Sequence, residues 1–96
     1  MELKFDLSDF VDVLTIQSAC VQLVNRMRHR RKQMKMSQRK LATRSGVSYA
    51  SIRRFETTGH ISLSSLLKIA NALDCLEEFT SLFPPVPVKS LKDYKV

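Results

Sequence analysis

The segment from residue 38 to residue 56, QRKLATRSGVSYASIRRFE, restricts the fold of this chain more than any other part of it. Leu41 and Ala42 lie on one face of a predicted helix, and Gly46 follows four residues after Ala42. A small side chain at position 42 lets a second helix cross closely, and Gly46 can adopt the positive φ that a short interhelical turn needs. Ile52 and Phe55, three residues apart, would wedge the second helix against the first. The spacing therefore predicts a helix-turn-helix.

The charge of the chain is concentrated around this motif. Residues 25–54 contain eleven Lys or Arg and no Asp or Glu, within a chain of net charge +7. Residues 1–24 sum to −3 and residues 55–96 to −1. A basic block centred on a helix-turn-helix indicates contact with a phosphate backbone, because each neutralised phosphate releases counterions. For Arg26 to Lys32, a solvated basic helix face is the alternative interpretation.

Length and composition exclude several other classes of protein. Ninety-six residues predict one small domain with extensions. Cys20 and Cys75, without a signal peptide or a long apolar run, predict reduced thiols in a cytoplasmic protein with no membrane span. His29 and His60 stand at no ligand spacing, so we expect no zinc site and no other cofactor. The sequence has no glycine-rich phosphate loop and no His paired with a carboxylate at helical spacing, so we expect that the protein is not an enzyme.

The hydrophobic pattern predicts an all-α fold of five helices. Helix 1 is expected to begin at Thr15 and to end near residues 33–35, with its basic residues opposite an apolar stripe. The stripe consists of Ile16, Ala19, Cys20, Leu23, Val24, Met27 and Met34. Ser37 and Ser48 are the predicted N-caps of helices over about residues 38–45 and 49–56.

The remaining elements follow from turn residues and apolar runs. Residues 57–60, TTGH, are predicted to form a turn rather than to continue the third helix. Ser62 precedes an apolar fourth helix with Leu63, Leu66 and Ile69 in the core, and Asp74 separates it from a short fifth helix. Prolines at positions 84, 85 and 87 prevent helix. We therefore predict an arm (residues 1–14), a DNA-binding domain (15–83) and an extended tail (84–96).

This arrangement resembles the lambda-repressor-like family, also called the XRE or Cro/C1 type, over about residues 22–83. The similarity is carried by SQRKLATRSGVSYASIRRFE and by the following ISLSSLLKIANALD. It implies a five-helix domain in which the second and third helices form the DNA-binding motif. Members of this family often have a glycine at the position of Lys35, where helix 1 ends.

A recognition helix enters the major groove by its N-terminal end, so side chains at its start and one turn later reach the bases. We rank Arg54 first, since Arg suits bidentate contact with guanine, and an Ala methyl or Tyr ring can pack on a thymine methyl. In similar phage repressors, the positions that match Tyr49, Ala50 and Arg54 contact bases. For Arg53, a phosphate contact or a solvated side chain is an equal alternative. The candidate base-reading residues are Ser48, Tyr49, Ala50, Arg53 and Arg54.

Phosphate contacts come from helix N-termini and short polar side chains as well as from Lys and Arg. Gln38 stands at the start of the second helix, where the resembling proteins hold a backbone phosphate. We prefer to interpret Ser37 and Ser48 as helix caps rather than as DNA ligands. The candidate phosphate-binding residues are Gln38, Arg39, Lys40, Arg44, Thr58 and His60.

The predicted function is that of a sequence-specific transcriptional regulator of double-stranded DNA, acting as a homodimer because one recognition helix reads only a few base pairs. Residues 47–83 are also similar to small regulators that serve as antitoxins to HipA-type kinase toxins. That similarity implies an autoregulatory repressor of a toxin-antitoxin operon with a HipA-type partner. The alternatives are a phage-type repressor without a toxin, or a protein-interaction module with residual DNA binding.

Overall fold

The structure is a computed structural model that describes residues 13–87, and within this range the chain forms four α-helices and a 3₁₀ helix. These are α1 (Ile16–Gln33), α2 (Gln38–Ser45), α3 (Tyr49–Thr58), α4 (Leu63–Ala72) and the 3₁₀ helix (Leu76–Ser81). α2 packs against α3 and α4, α1 packs against α3, and the 3₁₀ helix packs against α4. The predicted all-α fold of five helices is confirmed. Most of the predicted arm, and the tail from residue 88 onward, lie outside the described residues.

Each α-helix begins after a Ser or Thr that caps its first turn. The side chain of the capping residue accepts a hydrogen bond from a backbone N–H that has no partner inside the helix. The caps are Thr15, Ser37, Ser48 and Ser62. At the start of α1 the capping is reciprocal, because the Thr15 N–H also donates to Ser18 Oγ at 2.9 Å. The predicted caps Ser37 and Ser48 are thus confirmed.

α2 and α3 each end at a glycine with left-handed backbone. Gly46 has φ +77° and Gly59 has φ +81°. The space around Gly46 is open, whereas a Cβ on Gly59 would collide with the Sγ atom of Cys20. Gly46 therefore provides the positive φ that the sequence predicted, and Gly59 is required for backbone conformation and for the close approach of α1.

The predicted end of α3 at residue 56 was wrong by two residues. The Thr57 and Thr58 hydroxyls donate to the carbonyl oxygens of Arg53 and Arg54, at 3.0 and 2.7 Å. These bonds to the preceding turn let both threonines remain in the helix. Gly59, rather than the threonines, terminates α3.

The turn after α1 forms without glycine. Lys35 adopts φ +58°, in the left-handed region. Its N–H donates to Lys32 O at 2.9 Å, and the Met36 N–H donates to Arg31 O at 3.1 Å. The glycine that resembling proteins often have here is therefore replaced by a strained lysine, at a backbone cost of about 1 to 2 kcal/mol.

The core lies where α1, α2, α3 and α4 meet. Its fully buried large side chains include Leu41, Ile52, Phe55, Ile69, Leu73 and Val24. Leu63 was predicted to be core but is 69% exposed, and it is the first residue of α4. Ile16 was placed on the apolar stripe of α1 but is 93% exposed. The buried face of α1 instead runs through Ser18, Val21, Val24, Met27 and Arg31.

Candidate nucleic-acid interface

The outer surface of the helix-turn-helix is positively charged. Three basic side chains of α2 and two of α3 are exposed: Arg39, Lys40, Arg44, Arg53 and Arg54. Neither helix has an acidic residue in its first turn. The single acidic residue of α2 and α3, Glu56, is buried. The exposed side chains and the N-terminal ends of both helices therefore favour an anion.

Tyr49 connects the two helices of the motif on this surface. The guanidinium carbon of Arg39 lies 4.0 Å from the centroid of the Tyr49 ring, and that of Arg53 lies 5.6 Å from it. Exposed cation–π contacts of this type contribute about 0.5 to 1 kcal/mol each. The stack brings a predicted phosphate ligand, Arg39, beside two predicted base readers at the beginning of α3.

The other candidate base readers differ in how their polar groups are used. Ala50 and Arg54 are exposed. The Ser48 hydroxyl accepts the Ser51 N–H at 3.1 Å and donates to Ser51 Oγ at 2.9 Å. Ser48 therefore holds the end of α3 in the structure, and base contact by its hydroxyl would compete with that cap.

Two candidate phosphate ligands lie at the opposite end of α3. The Thr58 hydroxyl donates to Arg54 O and also accepts the His60 N–H at 3.1 Å. Both residues are exposed. Thr58 therefore fixes the turn that carries His60.

Beneath the motif, Glu56 forms a buried ion pair with Arg31. Glu56 is 3% exposed and Arg31 is 6% exposed. Arg31 donates from Nε to Oε2 at 2.9 Å and from Nη2 to Oε1 at 3.0 Å, and its Nη1 donates to Met36 O at 2.8 Å. Arg28 Nε lies 3.3 Å from the same carboxylate. The cluster joins α1 to the end of α3 and to the turn before α2.

The sequence interpretation did not find this cluster. Arg31 was expected on the basic, outward face of α1. This was wrong, because the Arg31 side chain is buried and donates two hydrogen bonds to the Glu56 carboxylate. One signal was present: Glu56 is the first acidic residue after Asp12, and the forty-three residues between them include the whole basic block. A lone carboxylate that follows such a block has many possible basic partners, so the pairing itself could not be predicted.

Gln38 belongs both to the predicted interface and to this cluster. Its side-chain amide nitrogen donates to Glu56 Oε1 at 3.0 Å. The hydrogen bond fixes Gln38 at the first position of α2, next to backbone N–H groups that the helix itself does not use. The predicted phosphate ligand at the start of α2 is thus held in place from inside the protein.

Arg30 also serves the fold rather than the outer surface. Its Nε donates to Leu73 O at 2.6 Å and its Nη2 donates to Asp74 O at 3.1 Å. A guanidinium at these carbonyls satisfies the C-terminal end of α4 and complements the helix dipole. The basic block of the sequence therefore divides into residues that support the fold and residues exposed on α2 and α3.

The thiols and histidines form no further site in the part of the chain that the structure describes. Cys20 and Cys75 are both free thiols, and burial raises the pKa of the Cys75 thiol. Among residues 13–87, no group of His, Cys, Asp and Glu side chains could hold a metal ion. Within the same range, none of the helices has the length and apolar character needed to cross a membrane.

A family model described as helix-turn-helix matches residues 27–79, which is more than half of the chain. The match includes all of α2, α3 and α4. Comparison with curated proteins and with solved structures found no match. Because the matched region contains both helices of the motif and the exposed basic surface, the chain belongs to the helix-turn-helix family of the XRE, or lambda-repressor-like, type, a family of DNA-binding transcriptional regulators.

Proposed function

We propose that this protein is a sequence-specific regulator that places α3 in the major groove of a double-stranded DNA operator. The observation that carries the proposal is the distribution of charge on α2 and α3. Five cations are exposed there, while the one carboxylate is buried and paired. Such a surface neutralises several phosphates without repelling any, and this supplies most of the affinity of DNA-binding proteins.

The residues at the N-terminal half of α3 would read the bases. Arg54 would donate to a guanine edge, and Ala50 and Tyr49 would pack on thymine methyl groups. Ser48 and Arg53 would complete this group, Arg53 by reaching a base or a phosphate. The remaining candidates would fix the protein on the backbone. These are Gln38, Arg39, Lys40, Arg44, Thr58 and His60.

We further propose that the protein acts in the cytoplasm as a homodimer with a domain over residues 15–83. One recognition helix reads only a few base pairs, and a twofold protein matches a twofold operator. Phe83 is 96% exposed, and Leu76 is also exposed. Exposed apolar side chains at the end of a domain are consistent with association of two chains. The tail from residue 84 would be outside the domain.

The finer role that we propose is autoregulatory repression in a toxin-antitoxin operon. Its support is the similarity of residues 47–83 to regulators that act with HipA-type kinase toxins. A gene for such a kinase beside the gene for this protein would be the first requirement. Co-purification of the two proteins would then support the role, and a neighbouring gene of unrelated type would favour a repressor without a toxin.

Selection from a random duplex library, followed by salt titration, tests DNA recognition. A regulator should enrich one sequence, and its affinity should fall steeply as salt rises. Two double variants with the same change in charge provide the control. R53Q with R54Q should remove the sequence preference, whereas R26Q with K32Q, on α1, should leave it unchanged. Weak binding with no preferred sequence would instead indicate a protein-interaction module.

A further inference from the structure

A groove separate from the proposed DNA-binding surface lies between α1, α4 and the 3₁₀ helix. Its volume is about 1160 Å³. Its lining comes from α1, from α4, from the 3₁₀ helix with the residues on either side of it, and from Leu14, which leads into α1. The floor is apolar and includes Leu23, Met27, Leu66, Leu73, Phe79 and Leu82. An apolar groove of this size can bury apolar side chains of an occupant.

The lining of the groove carries more positive than negative charge. Arg26 and Arg30 line it on α1, and His29 lies beside them. Glu78 is the acidic residue among the lining side chains. An occupant with apolar side chains and carboxylates would therefore complement the groove better than a basic one.

We propose that residues 1–12 of the same chain dock in this groove. This segment, MELKFDLSDFVD, has a net charge of −3 and contains Phe5, Leu7 and Phe10. The C-terminal segment, residues 88–96, has a net charge of +2, which is the same sign as the net charge of the groove lining. Charge complementarity thus selects the N-terminal segment, with Phe5, Leu7 and Phe10 on the apolar floor and its carboxylates near Arg26 and Arg30.

The position and length of the segment fit an intramolecular contact. It joins the described chain at Val13, one residue before Leu14, which already lines the groove. Twelve extended residues reach about 40 Å, and α1, which forms one wall, is about 27 Å long. A short tether gives the segment an effective concentration in the millimolar range, so the same chain should occupy the groove before a second chain does.

The two cysteines provide a test that does not depend on the proposed function. Cys75 lines the groove, whereas the Cys20 Sγ lies against the carbonyl oxygen of Gly59, 3.9 Å away. Both thiols are half-buried and free. The experiment measures the rate at which a maleimide labels each thiol in the full-length chain at one pH. Because burial raises the pKa of Cys75, each thiol is compared only with itself across variants.

Two double variants of the full chain are compared with the unmodified protein. F5A with F10A should raise the labelling rate of Cys75 by about fivefold or more and leave Cys20 unchanged, since loss of docking exposes only the groove. L91A with Y94A, the matched change in the C-terminal segment, should leave both rates unchanged. The rates should not depend on protein concentration.

Three results would overturn the proposal. An unchanged Cys75 rate in F5A with F10A would show that the N-terminal segment does not cover the groove. A faster rate in L91A with Y94A alone would assign the groove to the C-terminal segment. A Cys75 rate that falls as the protein concentration rises would assign the groove to a second copy of the chain.

Discussion

Arg31 and Arg54 belong to one basic block in the sequence but lie in opposite environments. Arg31, on α1, is buried and donates three hydrogen bonds inside the protein, two of them to Glu56. Arg54, on α3, is exposed on a surface whose neighbouring charges are all positive. The net charge of a segment is therefore not the charge that it presents to DNA. Arginines whose side chains bind other groups of the protein have to be left out when the charge available to DNA is counted.

The largest expected effect is on stability, at Arg31. Arg31→Ala leaves the Glu56 carboxylate buried without its bidentate partner, and breaking a buried pair in this way costs about 3 to 5 kcal/mol. Urea denaturation measures the loss in the free energy of unfolding. Lys32→Ala, the exposed neighbour, is the control and should change it by less than about 0.5 kcal/mol. Equal effects of the two variants would mean that burial does not distinguish these residues.

The second effect concerns DNA affinity rather than stability. Arg54→Ala should weaken binding to the preferred operator by about 1 to 3 kcal/mol and reduce discrimination at one base pair. Its free energy of unfolding should stay within about 0.5 kcal/mol of the original. Affinities for a set of operators, each changed at one base pair, provide the measurement. Equal weakening on every sequence would show that Arg54 contacts only phosphate.

Arg30 should have an intermediate effect, again on stability. Arg30→Ala removes the donors to Leu73 O and Asp74 O, and hydrogen bonds from a charged group at a half-buried site contribute about 1 to 2 kcal/mol. Arg30→Lys keeps the charge near the end of α4 but loses the planar fork, so it should recover only part of the loss. Urea denaturation of both variants measures the change in the free energy of unfolding. Full recovery by lysine would mean that charge alone stabilises the end of α4.

Local signals predicted much of the fold. Caps at Ser37 and Ser48 and the left-handed turn at Gly46 depend on chemistry within four residues, which a sequence displays directly. The face of α1 was predicted less well, since Ile16 is exposed and Arg31 is buried. Which residues of α1 are covered depends on where α3 and α4 cross it, and no periodic pattern within α1 contains that information.

The candidate site divides in the same way. The exposed cations of α2 and α3 follow from the helix register, and the stack of Arg39 on Tyr49 joins two helices that the motif already places together. The pairing of Arg31 with Glu56 joins residues twenty-five positions apart and could not be found by spacing. The engagement of Gln38 with Glu56 was missed for the same reason.

The smallest expected effect is at Lys40, which is exposed on α2 and whose N–H is capped by Ser37 Oγ at 3.0 Å. Lys40→Ala should weaken binding to all sequences nearly equally, by about 0.5 to 1 kcal/mol, because a phosphate contact carries no base information. The slope of log affinity against log salt should become shallower by about 1, since one fewer counterion is released. Lys32→Ala provides the matched control on α1 and should leave the slope unchanged. If both lysines reduce the slope equally, the DNA contacts α1 as well as α2, and the division between arginines of the fold and cations of the interface would have to be redrawn.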